Sequence, residues 1–288
     1  MSSPIFVNRP NGGIVPEGYK PSDVPVFMGA RFEPKIGCVD NGQKTREDRV
    51  VLEWKGTIPG NARRTDEWTA SNRKGDPYTH MDSGQLDAII DKLAPLRRQG
   101  FSVFDCGFFP QGKRAGDLVI YGLPVHKNDQ DNRITYAEMR KVLEAVYPVH
   151  LDRRVVYQFS VLMEKKNEHG IPCLNGVPEY NPSEHLGDHS NGNVSEARRA
   201  AHHLEPTWHP DNPIDHYWYD LDDKADLGPQ VYILPSFKSG EYIDTLWQAM
   251  KECPDTTYEG FVIKNENFPE VYTDKQSDNE TWTRIRYR

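Results

Sequence analysis

The sequence predicts an α+β fold in which strands outnumber helices. Two observations support this prediction: short apolar runs of strand length recur along the chain, and only a few longer segments place apolar residues at helical spacing. The 288 residues are 36% hydrophobic and include 22 glycines and 22 prolines, which is a low apolar share for a globular chain. We therefore expect a strand-rich framework that carries long polar segments.

The first half of the chain contains one clear helix signal. Residues 1–24 are rich in proline and glycine and are expected to form an irregular lead-in. The helix is predicted over residues 85–98, because Asp82 offers an N-cap, apolar residues follow at helical spacing and Gly100 ends the pattern. Strands are predicted at residues 30–39, 50–54, 101–109 and 117–125.

The second half is interrupted by a polar insertion. Residues 164–225 are rich in Asn, His, Asp, Glu and Pro and show little apolar periodicity, so we expect a long insertion with one short helix at 195–203. Helices are predicted at residues 135–147 and 241–252, and strands at residues 155–163, 231–234, 258–264 and 282–287.

Charge and composition exclude several classes of protein. The net charge of -8 argues against a general polyanion-binding protein but allows a local basic cleft. The absence of a long apolar run predicts a protein that does not span a membrane, and the polar N-terminus lacks a signal-peptide pattern. The four cysteines show no paired spacing, which favours a reduced, cytoplasmic compartment.

The most informative segment is the predicted strand at residues 258–264. Glu259 lies at its start and Lys264 at its end, so the strand carries opposite charges into one region. Strand alternation places Glu259 with Phe261 on one face, and Gly260 and Val262 with Lys264 on the other.

This segment resembles motif IV of the covalent nucleotidyltransferase superfamily, which contains ATP-dependent DNA and RNA ligases and mRNA capping enzymes. Residues 32–37 resemble the nucleophile motif, Glu-x-Lys-x-Asp-Gly. Residues 71–79 resemble the Ser-Arg-x-Gly segment, residues 104–109 resemble motif III, and residues 282–286 resemble motif V. These segments occur in the order of the family, and the resemblance spans about residues 26–288.

The resemblance implies a ligase-type nucleotidyltransferase fold over residues 25–288. Such a fold has two antiparallel sheets flanked by helices, with a nucleotide cleft between the sheets, and here no oligonucleotide-binding-fold domain follows it. In this family a lysine attacks the α-phosphate of ATP with the help of Mg²⁺ or Mn²⁺ and forms a lysyl-AMP adduct.

Residue by residue, the resemblance makes Lys35 the nucleophile. It places Glu33 at the adenine edge, Arg73 at the ribose or the accepting 5′-phosphate, Glu259 at the metal, Lys264 at the α-phosphate, and Arg284 and Arg286 at the motif V lysine positions. Tyr121 or Phe108 is expected to stack on adenine.

The sequence departs from the family pattern mainly by losing carboxylates. Gly37 stands where the nucleophile motif has Asp, and Gly107 stands where motif III has Glu. The strand that follows ends Tyr121-Gly122-Leu123, where ligases often have an Asp. Motif V has arginine at both lysine positions, which keeps the charge but changes the geometry of its donors.

Two classes of function follow from these observations. The first is an ATP-dependent polynucleotide ligase that acts on nicked or broken ends of DNA or RNA; a capping-type guanylyltransferase is a less favoured variant of it. The second is a weak or inactive ligase-like protein with a binding or assembly role. The aromatic residues of the 164–225 insertion suit a protein partner, whereas the spacing of His185 and His189 suits a metal only in a helix, against which Gly187 argues.

Overall fold

Among the residues that it describes, the computed structural model has three α-helices, eleven strands of three or more residues and nine strands of two residues. The described residues are 5–7, 9–23, 29–37, 39–40, 44–45, 47–56, 67–112, 114–152, 155, 158–159, 162, 165–166, 172–174, 177–178, 218–219, 229–239, 242–253, 258–273 and 278–287. The predicted helix at 195–203, the histidines of the insertion and most of residues 164–225 lie outside them.

Described helices and strands follow in chain order. The helices are α1 (Ser83–Arg98), α2 (Tyr136–Glu144) and α3 (Tyr242–Glu252). The strands are β1 (Phe6–Val7), β2 (Arg9–Ile14), β3 (Ala30–Ile36), β4 (Val39–Asp40), β5 (Lys44–Thr45), β6 (Asp48–Trp54), β7 (Trp68–Asn72), β8 (Val103–Phe108), β9 (Leu118–Gly122), β10 (Val125–His126), β11 (Leu151–Asp152), β12 (Lys165–Lys166), β13 (Pro172–Leu174), β14 (Val177–Pro178), β15 (Trp218–Tyr219), β16 (Val231–Ile233), β17 (Phe237–Lys238), β18 (Tyr258–Asn265), β19 (Val271–Thr273) and β20 (Asp278–Arg286).

Two five-stranded sheets form the framework, and the chain is α+β as predicted. We call the first the Lys35 sheet, with strand order β17-β3-β18-β20-β2, and the second the Arg49 sheet, with order β16-β9-β8-β6-β7. Most neighbouring strands are antiparallel, but each sheet has one parallel pair, β2 with β20 and β16 with β9. The expectation of two purely antiparallel sheets is therefore corrected at one edge of each.

Different helices pack against the two sheets. α1 and α2 contribute Leu93, Leu96, Met139 and Leu143 to the core that covers the Arg49 sheet. α3 packs on the Lys35 sheet, where Leu246 joins a second core. Both α1 and α2 begin with a capping box, so local sequence and tertiary packing agree at their starts.

The N-terminal segment is not irregular throughout, contrary to the prediction. β2 pairs with β20 along the edge of the Lys35 sheet, so the proline and glycine of this segment occupy an edge strand, where a missing N–H is tolerated. Within residues 155–163, predicted as a strand, the described residues are helical. Val155 and Phe159 are buried in the same core at a spacing of four, which suits a helix face.

Among the described residues, no helix is both long enough and apolar enough to cross a membrane.

Candidate active site

The Lys35 sheet presents one polar face to a cavity. In the register of the sheet, Lys35 lies opposite Gly260 and Glu33 lies opposite Val262. Because side chains alternate along a strand, Lys35 and Glu33 point to one face while Phe32 is fully buried on the other. On β20, Arg284 lies opposite Val262 and so shares the polar face.

A cavity of about 150 Å³ lies between this face and the Arg49 sheet. Residues of both sheets line it: Pro10, Glu33, Pro34, Lys35, Ile36, Glu47, Arg49, Arg73, Tyr121, Val262, Lys264, Trp282 and Arg284. Five of the residues that the resemblance assigned to a nucleotide site therefore meet in one place, although they are distant in sequence.

Lys35 is held by Glu259, the sixth of the assigned residues. The Lys35 ammonium donates to the Glu259 carboxylate and to the backbone carbonyl of Ile36, at 3.1 Å. Arg286, the last assigned residue, lies 3.6 Å from the same carboxylate. Glu259 thus holds two cations at the rim of the cavity, and it fixes the direction of the Lys35 amine.

A β-bulge explains how Glu259 reaches Lys35. Tyr258 pairs with Ile36 and Gly260 pairs with Lys35, so Glu259 is the extra residue on β18. Simple alternation would have turned Glu259 to the face of Phe261, as the sequence predicted. The bulge re-aims it, and Gly260 permits the bulge with φ 147°, at a place where a Cβ would collide with the carbonyl of Ile285.

Lys264 lies at the closed end of the cavity and is 1% exposed. Its ammonium pairs with Glu33 at 2.6 Å, donates to the carbonyl of Tyr121 at 2.9 Å and lies 4.1 Å from the centroid of the Trp282 ring. These contacts compensate the burial of the charge. They also join β18 of the Lys35 sheet to β9 of the Arg49 sheet.

Glu33 is almost fully buried, and its carboxylate already receives several donors. Besides Lys264, it accepts a hydrogen bond from the hydroxyl of Tyr136 and lies 3.6 Å from Arg140. The sequence assigned Glu33 to the adenine edge. In the structure its described contacts are those of an anchor that holds Lys264 in place.

Arg49 is a cavity residue that the sequence analysis missed. Its guanidinium makes a two-pronged ion pair with the buried carboxylate of Asp105, and its centre lies 5.4 Å from the ring of Tyr121. Asp105 lies in the segment that resembles motif III, so this segment supplies the carboxylate that holds Arg49. The burial of Asp105 was visible in the sequence as an acidic residue within an apolar run, but its partner was not.

Arg73 and Arg284 approach the cavity from opposite sides. Arg73 follows β7, and it also lines a neighbouring cavity of about 340 Å³ together with Arg49, Lys74 and His80. Arg284 donates from Nε to the carbonyl of Gly12 at 2.9 Å, so β2 helps to orient it. Of the two aromatic candidates, Tyr121 lines the cavity, whereas Phe108 is fully buried in the core of the Arg49 sheet.

Three glycines of the motif segments each lie against a glutamate from another part of the chain. A Cβ at position 37 would overlap the carboxylate of Glu259, one at 107 would overlap that of Glu47, and one at 122 would overlap that of Glu270. The family motifs that these segments resemble have a carboxylate at position 37, at position 107 and near the end of the strand that contains Gly122. Carboxylates are therefore present at these places, but they come from other segments.

Glu47 and Glu270 differ in electrostatic setting. Burial raises the pKa of Glu47 to about 7, while Lys35 and, less strongly, Arg49 lower it. Burial, and next the neighbouring Asp105 carboxylate, raise the pKa of Glu270 well above its usual range. Both effects favour the protonated form of Glu270 in the folded protein.

The described residues do not by themselves form a complete metal site. No group of three or more His, Cys, Asp or Glu side chains among them is placed to hold a metal ion. Glu259, the residue assigned to the metal, is occupied by Lys35 and Arg286. Mg²⁺ commonly binds through one or two carboxylates together with substrate phosphates, so Glu259 fits such a role only in the presence of a nucleotide.

Comparison of the chain with models of known protein families and with characterised proteins gives no match.

Proposed function

We propose that the protein is an ATP-dependent polynucleotide ligase-like nucleotidyltransferase of the ligase-type fold, with Lys35 as its nucleophile. The observation that carries this proposal is the placement of Lys35 in a cavity between two sheets, with its ammonium on Glu259 and with cations from both sheets around it. An exposed structural lysine needs no such surroundings. Attack on a phosphate requires surrounding cations, because the anionic transition state must be stabilised by fixed positive charge.

Cationic side chains on both sides of the cavity would bind the triphosphate. Lys264 and Arg284 come from the Lys35 sheet, and Arg49 and Arg73 come from the other side of the cavity. Positive groups on both sides would fix the α-phosphate in front of the Lys35 amine. Such positioning supplies a large part of catalysis in phosphoryl transfer.

The reaction of Lys35 forms one bond and breaks another. The Lys35 ammonium first gives one proton to water. Its lone pair then attacks the α-phosphorus, and a P–N bond forms while the nitrogen gives a second proton to water. The bond from the α-phosphorus to the bridging oxygen breaks, and its electron pair leaves with the diphosphate. Mg²⁺ or Mn²⁺, carried by the triphosphate and contacted by Glu259, would supply further positive charge to the phosphates.

The AMP group would then pass to a 5′-phosphate at a nick or broken end of DNA or RNA. The neighbouring cavity shares Arg49 and Arg73 with the first and adds Lys74 and His80. It is therefore the place at which we expect the acceptor phosphate. The net charge of -8 does not oppose this, because the cations converge locally while the acidic residues are spread over the chain.

Adduct formation tests the proposal directly. The protein is incubated with Mg²⁺ or Mn²⁺ and α-labelled ATP, and we expect covalent label on the wild type and none on Lys35→Ala. Lys55→Ala is the matched control, because Lys55 is an exposed lysine at the end of β6 and should keep full labelling.

Two other outcomes would change the conclusion. Label from GTP alone would point to a capping-type guanylyltransferase. No label with either nucleotide would contradict the proposed chemistry and favour the ligase-like protein with a binding or assembly role. A panel of nicked DNA and RNA duplexes then identifies the acceptor.

A further inference from the structure

The N-terminal segment contacts both sheets as it passes the cavity. Val7 of β1 is buried with Val51 and Val103, which belong to β6 and β8 of the Arg49 sheet. The next strand, β2, runs along β20 at the edge of the Lys35 sheet. Pro10 of β2 is buried and lines the cavity. The segment therefore forms part of the cavity wall and is attached to both sides of the cavity.

β2 follows β20 although its own sequence does not favour a strand. Its six residues include one proline and two glycines, which are uncommon inside strands. The pairing is parallel, and its register shifts after Pro10. Beyond the strand, the amide of Val15 donates to the carbonyl of Arg286 at 2.8 Å, and Val15 packs against the core that covers the Lys35 sheet. Contacts with the rest of the molecule, rather than local propensity, thus hold β2 in place.

Gly12 lies opposite Arg284 in this pairing, at a place where only glycine fits. Its φ of 87° is in the left-handed region, and a Cβ would overlap the backbone carbonyl of Arg284. This close approach brings the Gly12 carbonyl oxygen to 2.9 Å from Arg284 Nε, which donates to it. A Cβ at Gly13 would meet nothing within 4 Å, so the requirement is specific to position 12.

The hydrogen bond at Nε sets the direction of the whole Arg284 guanidinium. A guanidinium is planar and carries five N–H donors in a rigid fork, so a partner at Nε fixes the plane in which the two terminal nitrogens lie. Arg284 lines the cavity, and a fork whose orientation is preset loses less freedom when it binds a phosphate. A lysine would carry the same charge on a flexible chain, without this plane.

We propose that Gly12 is a positioning residue of the nucleotide site, whose carbonyl orients the Arg284 guanidinium toward the triphosphate. The N-terminal segment is thereby part of that site. This inference rests on the proposed function, because it needs a nucleotide in the cavity. It also gives a reason for arginine rather than lysine at position 284, and no motif of the sequence marks Gly12.

A double-variant cycle tests the pair. Adduct formation is measured over a range of ATP concentrations for the wild type, Gly12→Ala, Arg284→Ala and the double variant. We expect Gly12→Ala alone to raise the ATP concentration for half-maximal rate by about tenfold, as for the loss of a hydrogen bond to a charged group. In the Arg284→Ala background it should have little effect, because the guanidinium that Gly12 orients is absent. Equal effects in both backgrounds would show that Gly12 acts only through the fold and would overturn the inference.

Two further variants separate positioning from folding. Gly13→Ala is the matched control, because it adds the same methyl group to β2 in open space and should keep the ATP dependence of the wild type. Arg284→Lys leaves β2 unchanged, so it tests the inference even if Gly12→Ala does not fold. We expect its ATP dependence to resemble that of Arg284→Ala, since the charge remains but the plane set by Gly12 is lost. The ATP dependence of the wild type in Arg284→Lys would contradict the positioning role.

Failure of this inference is distinguishable from failure of the proposed function. If the wild type forms no adduct with any nucleotide, the proposed ligase chemistry fails. Equilibrium binding of ATP to the wild type and to Gly12→Ala, measured by calorimetry, then tests the positioning role without a covalent step. Binding that is about tenfold weaker in Gly12→Ala supports the role. Equal affinities, or no binding of ATP by either protein, would overturn it.

Discussion

At the scale of single residues, three glutamates lie against glycines that are distant from them in the sequence. Gly37, Gly107 and Gly122 each leave space that a glutamate from another segment fills. A comparison by motif records these glycines as losses. In the structure, a glutamate carboxylate from another segment lies against each of these glycines.

Glu270 gives a test of this arrangement through the pH dependence of folding. Its pKa is raised in the folded state by burial and then by Asp105, so the folded protein binds a proton more tightly than the unfolded chain does. Stability should therefore fall as pH rises above the unfolded pKa of about 4.3 and toward the raised folded value. Glu270→Gln cannot ionise, and we expect it to lose this part of the slope.

Urea unfolding of both proteins at several pH values measures the effect. At about pH 4 or below, under the unfolded pKa, the variant and the wild type should be similarly stable, because little of Glu270 is ionised in either state. Above neutral pH the variant should be the more stable of the two. If the stability of the wild type and of Glu270→Gln changes with pH in parallel, burial and Asp105 do not raise the pKa of Glu270 in the folded protein.

At the scale of elements, the bulge in β18 decides whether Glu259 reaches Lys35. The extra residue turns Glu259 away from the apolar face and toward Lys35. The sequence shows a strand here, and it shows a glycine at 260. It does not show that the strand slips by one residue against β3, because that depends on the pairing of strands far apart in the chain.

Gly260→Ala should destroy this geometry. The added Cβ would collide with the carbonyl of Ile285, and φ of 147° is unfavourable for any residue with a side chain. We expect a loss of about 2 kcal/mol or more in the free energy of unfolding and a strong loss of adduct formation. Gly13→Ala is the control, because it lies in the same sheet and a Cβ there meets nothing within 4 Å.

Denaturant unfolding and adduct labelling of the two variants complete that test. The expected result is a destabilised, poorly labelled Gly260→Ala beside a nearly normal Gly13→Ala. Normal labelling in Gly260→Ala would mean that the bulge is not needed to orient Lys35.

At the scale of the whole molecule, a buried charge network joins the two sheets. Lys264 of β18 contacts Glu33 of β3 and the backbone of Tyr121 in β9, while Arg140 of α2 lies near the same glutamate. One ion pair, Lys264 with Glu33, thus joins the Lys35 sheet to the Arg49 sheet and to α2.

Lys264→Met tests the network. It leaves Glu33 buried with less positive charge, and we expect a loss of about 3–5 kcal/mol in the free energy of unfolding. Adding Glu33→Gln removes the unpaired charge and should recover a substantial part of the loss. Chemical denaturation of the two single variants and the double variant gives the coupling energy; additive effects would contradict the network.

The parts of the molecule predicted from sequence are those governed by local patterns. The capped helix after Asp82 and the strand that ends at Lys264 follow from periodicity and end signals within one segment. Lys35, Arg73 and Arg284 were identified because each belongs to a short motif. Arg49 and Glu47 were missed because the residues that they lie against, Asp105 and Gly107, are more than fifty residues away in sequence.

The sequence by itself thus determined the α+β class and the main helices, and it singled out most of the charged residues that line the cavity. Only the tertiary structure decided which strands pair in parallel, how β2 joins the edge of the Lys35 sheet, and which glutamate stands behind each glycine. The physical reason is the range of the interactions. Caps and periodicity act over a few residues, whereas strand register, burial and charge pairing join residues that meet only when the whole chain has folded.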